Sequence, residues 1–387
     1  MPDPAAFNRR QFVGITAAGV ASAALKPSRV EASAASPEDT APGFPGPDFL
    51  IKPSELTLKF SYPAGARRLS FVNNTRLDSE LWRERCKSKL IQLLNFEAPK
   101  PCPVREVRRT EREGISFRAL VMQVSDNLSI PAYLLVPAKD AHPGLAVMAI
   151  QGHGEVEPLI GVRDEPHHQF ALELARAGYL TLAPAIRGFG VLSDLALGRD
   201  GYRLDYWPQQ KYRQFTLATD SFLKGKPLIG TTVEDLLRWE DWLARELGIK
   251  TLHSAGLSYG GDLALLYPVF SSRVERIFAS GTFGSFAPIF ERCYNAPAHC
   301  IPGVLEWMDR SDIAGLNAPR PIALHYGELD VPSPTNASAA YNETVLAAVT
   351  ELKAIYAQTN AEAQVKLLVS KGKGHEMDIA AMLEFLA

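Results

Sequence analysis

After its first 34 residues the sequence contains no run of about 18 apolar residues, so no membrane-spanning helix is expected. Basic excess is also missing. The formal net charge is −2 at pH 7, whereas a nucleic-acid binder normally presents a basic face. Cysteine is scarce, at four residues, and no CxxC or Cys/His metal spacing occurs. There are no internal repeats. Turn formers, by contrast, are plentiful, with 28 Gly and 28 Pro, which suits many short strand–helix connections. At 46% hydrophobic and 22% charged residues, the 387-residue chain has ordinary globular composition, enough for one large domain or two smaller ones.

The segment 1–34 reads as a targeting sequence. Asn8-Arg9-Arg10-Gln11-Phe12-Val13 is a twin-arginine pair followed by bulky apolar residues, and Val13–Leu25 is a weakly apolar run rich in Ala and Gly. Ala32-Ser33-Ala34 then offers a small-residue cleavage site. Other Arg pairs exist, such as Arg67-Arg68, but they lack this position and context. The expectation is export by the twin-arginine machinery to the periplasm or the medium. Residues 35–104 then form a linker and an N-terminal helical extension, and 105–387 the catalytic domain. Such a compartment permits disulfides. Cys293 with Cys300 could close a small loop, and the sequence leaves open both that pairing and Cys86 with Cys102.

Leu77–Leu94 places Leu77, Leu81, Cys86, Leu90, Leu93 and Leu94 near one helical stripe, a docking helix ahead of the main domain. Val104–Arg112 with Ile115–Val124 reads as a hairpin, and Ile130–Pro137 as a further strand. Thereafter strands and helices alternate. The strands are Leu145–Ile150, Tyr179–Ala183, Leu252–Gly256, Val274–Ser280, Pro321–Tyr326 and Val365–Ser370. The helices are His167–Ala177, Thr231–Leu247 with a capping-box pattern Thr231-x-x-Glu234, about Gly260–Tyr267, and a long one near Pro334–Gln358. This order predicts an α/β fold: a mostly parallel sheet with helices on both faces and an antiparallel hairpin at the front.

Gly256-Leu257-Ser258-Tyr259-Gly260 is weak as a bare G-x-S-x-G pattern. Here it follows an apolar strand and precedes a helix-forming run, the setting of a nucleophile elbow. The two glycines, each two residues from Ser258, lack the side chains that would clash in so sharp a turn. A serine hydroxyl needs a positioned base. Of eight histidines, only His375 lies on a loop directly after the last apolar strand and before the C-terminal helix. The acid that orients it should follow the strand between those of Ser258 and His375, where Glu328 and Asp330 compete. Two backbone N–H donors are needed for the tetrahedral intermediate. Tyr259, the residue after the nucleophile, supplies one. The other falls to His153 in Gln151-Gly152-His153-Gly154, after strand Leu145–Ile150.

With these residues in place, the region from about Arg105 to Ala387 resembles the α/β-hydrolase superfamily, and within it the dienelactone-hydrolase-like and acetylxylan-esterase-like bacterial hydrolases. The likeness is carried by QGHG at 151–154, the Arg187-Gly188 turn, GLSYGG at 256–261, APRPIALHYGELD at 318–330, and the segment from Pro302-Gly303-Val304-Leu305 through Asp312-Ile313. Gly327-x-x-Asp330 before Pro332 resembles the acid turn of that family, which favours Asp330 over Glu328. The resemblance implies ester hydrolysis through an acyl-enzyme, without cofactor or metal. A dienelactone hydrolase proper uses Cys where this chain has Ser258, so an acetylated carbohydrate is the leading candidate among small-molecule and carbohydrate esters.

The segment 191–230 lacks a clear element and holds Tyr202, Tyr206, Trp207, Tyr212 and Phe215. It reads as a cap insertion walling the substrate pocket, or as a self-packed surface loop. Two other functions compete with the esterase: a serine peptidase of the same fold, for which the residues before Arg105 are too few to form a large N-terminal domain, and a non-catalytic binding protein, which would have a broken triad.

Overall fold

The computed structural model describes residues 66–163, 165–193, 213–288, 296–332 and 337–387. The expected signal segment and linker up to residue 65, residues 194–212 of the expected cap, and Cys293 lie outside the described residues.

Nine strands form one sheet: β1 (Val104–Arg112), β2 (Ile115–Ser125), β3 (Leu128–Val136), β4 (Leu145–Ile150), β5 (Leu180–Pro184), β6 (Thr251–Leu257), β7 (Val274–Ser280), β8 (Ile322–Gly327) and β9 (Val365–Ser370). Their spatial order is β1-β2-β3-β5-β4-β6-β7-β8-β9. The first three strands and the β3–β5 pair are antiparallel, and every pair from β5 onward is parallel. A parallel sheet needs both faces covered because its crossovers are helical. β4 shows this in its alternation: Ala146, Met148 and Ile150 enter one apolar cluster, while Val147 and Ala149 enter the other.

Eight α-helices are described: α1 (Ser79–Leu94), α2 (Phe170–Arg176), α3 (Arg213–Leu223), α4 (Leu228–Leu247), α5 (Tyr259–Leu266), α6 (Arg310–Gly315), α7 (Val345–Ala357) and α8 (Ile379–Leu386). The larger cluster joins Trp82 and Leu90 of α1, Trp239 of α4, Leu263 of α5, Ile313 of α6 and Leu352 of α7. On the opposite face, α2 and α8 bury Phe170, Leu174, Met382 and Leu386. Among the described residues no helix is long and apolar enough to cross a membrane.

The elements depart from their sequence expectations in five places. The buried stripe of α1 is Trp82, Cys86, Leu90 and Leu94, strictly four apart, and Leu81 is exposed. α2 starts three residues later than expected, because His168 and Gln169 have φ of 47° and 48°, a conformation no right-handed helix admits. α4 starts at Leu228 with Pro227 as its N-cap, and the Thr231–Glu234 capping box is not made. Glu234 is instead buried, where its carboxylate accepts the Glu97 backbone N–H at 3.0 Å and pairs with Lys226 at 2.8 Å. The 191–230 segment is not without structure, since α3 lies within it and buries Ala218. The expected long helix near 334–358 is a 3-10 stretch, Ala337–Thr344, followed by α7.

The segment before α1 is stitched to residues far along the chain. Backbone N–H groups of Arg67 and Leu69 donate to the carbonyls of Leu305 (3.2 Å) and Trp307 (2.8 Å). The Arg67 guanidinium pairs with Glu351 at 2.7 Å, and the Phe71 N–H donates to Asp312 at 2.9 Å. The Trp82 indole N–H and the Cys86 thiol both reach the Leu69 carbonyl. Cys86 and Cys102 are not in a disulfide, and burial pushes the Cys86 thiol well above its ordinary range.

Candidate active site

Ser258 sits at the junction of β6 and α5 with φ 57° and ψ −122°, a left-handed backbone that a residue with a Cβ adopts only when its surroundings impose it. The surroundings do so. A Cβ on Gly256 would overlap the Gly260 carbonyl, and one on Gly260 would overlap the Ile150 carbonyl oxygen. Strand, turn and helix therefore close on each other at van der Waals distance, and the backbone of Ser258 is left the strained conformation. Its N–H donates to the Ser280 carbonyl at 2.8 Å, which ties the turn to the end of β7.

His375 lies on the loop after β9, and its Nδ1 stands 3.0 and 3.1 Å from the two carboxylate oxygens of Asp330. Asp330 is buried on the turn after β8. An ionised carboxylate only accepts, so Nδ1 carries the ring proton and Nε2 is left as the basic nitrogen. The ring rests on Gly281, where an added Cβ would come within 2.8 Å of His375 Cε1. Gly281 directly follows Ser280, the residue bonded to the Ser258 N–H. One dipeptide thus sits under the imidazole and against the serine backbone.

Glu328, the rival acid, is exposed and accepts the Gly372 N–H at 3.0 Å. It pins the loop that carries His375, while the Leu329 N–H does the same through the Lys373 carbonyl at 2.8 Å.

The 151–154 loop lies against the serine: a Cβ on Gly152 would stand 3.1 Å from Ser258 Cβ and 2.7 Å from the Leu257 carbonyl oxygen. Within that loop the Gly152 N–H is already used, donating to His167 Nε2 at 2.9 Å. The backbone N–H groups of His153 and Tyr259 have no hydrogen-bond acceptor among the described residues, so both expected oxyanion donors remain available. The His153 ring packs against Phe189, Tyr259 and His299, and the residue as a whole is partly buried. Burial of the ring, reinforced by the neighbouring His299, lowers its pKa to about 3.

Sequence reasoning missed four residues here. His167, held by Glu165, orients the 151–154 loop. Asp262, His299 and Arg310 form a buried group beside the elbow: the Asp262 carboxylate takes the His299 ring, the Arg310 guanidinium and the Thr282 hydroxyl. Burial alone would raise the Asp262 carboxyl, but Arg310 and His299 hold it below the usual carboxylate range. An acid inside the apolar run Tyr259–Leu266 was the one sequence cue to this group. The Arg187 of the Arg187-Gly188 turn is a tether, bidentate to Asp235 of α4 at 2.6 and 2.9 Å. Among the described residues no group of three His, Cys, Asp or Glu side chains is placed to hold a metal.

No protein-family model matches the sequence, and no curated protein matches it. Solved structures do. A candidate acetyl xylan esterase from Bacteroides fragilis superposes with a TM-score of 0.63 at 18% identity, over 81% of this chain and 80% of the other. A methylesterase gives 0.61 at 14% identity, over 84% and 67%. A glucuronoyl esterase from Solibacter usitatus gives 0.54 at 11% identity, over 80% and 93%. Likeness at such identities is likeness of fold, and the chain has the α/β-hydrolase fold.

Proposed function

We propose that the protein is an exported serine esterase that cleaves carboxylic esters through an acyl-enzyme, with acetylated carbohydrate of the acetylxylan type as its leading substrate class. The observation that carries this reading is the strained Ser258 elbow beside the Asp330–His375 pair. Ser258 Oγ attacks the ester carbonyl as His375 Nε2 takes its proton. Asp330 holds the ring and stabilises the imidazolium. The backbone N–H groups of Tyr259 and His153 receive the oxyanion. His375 then protonates the leaving alcohol, and in the second half it draws a proton from water to release the acid and restore Ser258. The structurally similar proteins named as esterases support this choice of reaction, and the twin-arginine segment supports export.

The test is hydrolysis of p-nitrophenyl acetate, longer p-nitrophenyl esters and acetylated xylo-oligosaccharides by wild type, Ser258→Ala and His375→Ala. Both variants are expected to lose kcat on the order of 10⁴-fold or more. Undiminished activity in Ser258→Ala would sink the mechanism. Cleavage of peptides without cleavage of esters would favour a peptidase. For export, a reporter fused behind residues 1–34 is expected to leave the cytoplasm, and to stay there when Arg9 and Arg10 are both changed to Lys.

A further inference from the structure

The two proposed oxyanion donors belong to different elements, His153 to the loop after β4 and Tyr259 to the first turn of α5. Their side chains meet on one ring. The His299 imidazole lies 4.5 Å from the Tyr259 ring centroid and 5.1 Å from that of His153, stacked on the latter at 19°. Phe189 closes the group edge-on against His153 at 5.2 Å.

His299 cannot swivel. It is buried in the turn Pro297–His299, and its Nδ1 is bonded to the Asp262 carboxylate. Asp262 is three residues beyond Tyr259 on the same helix. It is fixed in turn by Arg310 of α6, whose guanidinium lies 3.9 Å over the Tyr341 ring. Arg310 also bonds the carbonyl and hydroxyl of Thr282, the neighbour of the Gly281 that floors the His375 ring. A hydrocarbon core of equal volume would serve stability as well as this buried ionic group, or better. What the ionic group adds is direction, because each member has one allowed orientation.

We infer that His299 is a positioning residue: pinned by Asp262 and Arg310, it is the plate against which the His153 and Tyr259 side chains are set, and it thereby fixes the separation of the two oxyanion donors. The inference rests on the esterase reading above. Oxyanion donors must stand about 2.7–3.1 Å from the developing oxyanion, and a misplacement of 1 Å costs about 10²-fold in rate. His299 acts on the transition state through its neighbours and makes no demand on ground-state binding.

The experiment compares wild type, His299→Leu, His299→Phe and Ser258→Ala as full chains with p-nitrophenyl acetate. Active sites are counted by covalent labelling with a fluorophosphonate, and a trifluoromethyl ketone serves as the oxyanion mimic. Leu fills the volume without a flat ring, while Phe keeps the plate. His299→Leu is expected to lower kcat per labelled site about 30–100-fold with KM within threefold. The ketone's inhibition constant should rise by the same factor while inhibition by acetate stays put. His299→Phe should recover most of that loss. Should His299→Leu not fold, His299→Gln, which keeps a donor to Asp262 but no ring, carries the same comparison. A fall in the labelled fraction with unchanged kcat per site would reduce His299 to a packing residue, and a rise in KM at constant kcat would make it a substrate contact; either overturns the inference. Ser258-dependent activity indifferent to all His299 variants overturns the inference alone, whereas undiminished hydrolysis in Ser258→Ala overturns the esterase reading and the inference together.

Discussion

Gly260 and Ile150 meet backbone to backbone: a Cβ on the glycine would overlap the Ile150 carbonyl oxygen and stand 2.5 Å from that of Gln151. The helix behind the serine is thereby seated directly on the strand that launches the 151–154 loop.

Adding one methyl group at this seat must push the two apart. Gly260→Ala is expected to lower unfolding free energy by about 2–3 kcal/mol, measured by urea titration, and to lower kcat at least 100-fold, because donor and nucleophile move relative to each other. A variant with wild-type kcat would show that the contact is not what sets the elbow.

Asp330 and Glu328 make opposite predictions although they are two residues apart. Asp330→Asn puts an amide N–H donor in place of one carboxylate oxygen, allows the wrong His375 tautomer, and should cut kcat on the order of 10³–10⁴-fold. Glu328→Gln only weakens the tether to Gly372 and should change kcat less than threefold. Steady-state kinetics of both variants on one ester decide the assignment.

Two buried histidines, His253 and His325, and the partly buried His153 are held neutral. Burial is the main cause of depressed pKa values of about 4 for His253 and His325 and about 3 for His153. The unfolded chain binds these protons near pH 6.5 and the folded one does not, so unfolding takes up protons between those values. Stability is therefore greatest above pH 6.5 and falls as the pH drops toward 4, by about 1–2 kcal/mol per histidine between pH 7 and 5. His253→Phe keeps a ring in place and should shrink the pH 7-to-5 difference in urea unfolding free energy by that amount. An unchanged difference would mean that His253 is protonated in the fold.

Arg187 and Asp235 join the turn after β5 to α4, with the Asp235 carboxylate also taking Arg238 at 2.8 Å. Removing the acid takes from Arg187 its bidentate partner and leaves Arg238 with Glu234 at 3.9 Å. Asp235→Ala should cost about 3 kcal/mol in urea unfolding. Arg187→Lys, which cannot form the bidentate pair, should cost less, about 1 kcal/mol.

Much of this was legible in the chain. All nine strands fell within two or three residues of their expected limits, because buried strands read as short apolar runs punctuated by turn residues. The places of Ser258 at the β6–α5 junction and of His375 on the loop after β9 were readable from the strand order. What could not be read was set by partners distant in sequence. Glu234 looked like a capping residue and is claimed by the Glu97 N–H instead. His168 and Gln169 looked helical, yet the attachment of His167 to Gly152 precedes them and their backbones turn left-handed. Glu328 and Asp330 lie two apart on one turn after β8, and only their partners, Gly372 for the first and His375 for the second, tell them apart in the fold. Asp262, His299 and Arg310 are dispersed over 49 residues of sequence, from 262 to 310, and nothing local announces that they meet.

The stitching of the Arg67–Phe71 segment onto residues 305–312 and Glu351 has a temporal consequence. Arg67 and Glu351 are 284 positions apart, and a ribosome adding about 5–20 residues per second separates their synthesis by roughly 15–60 s. Throughout that interval Trp82, Cys86 and Leu90 have emerged while part of the surface that will shelter them does not yet exist. The first described helix is thus among the last to be finally enclosed, and a chain halted before residue 351 would present that apolar stripe to any chaperone in reach.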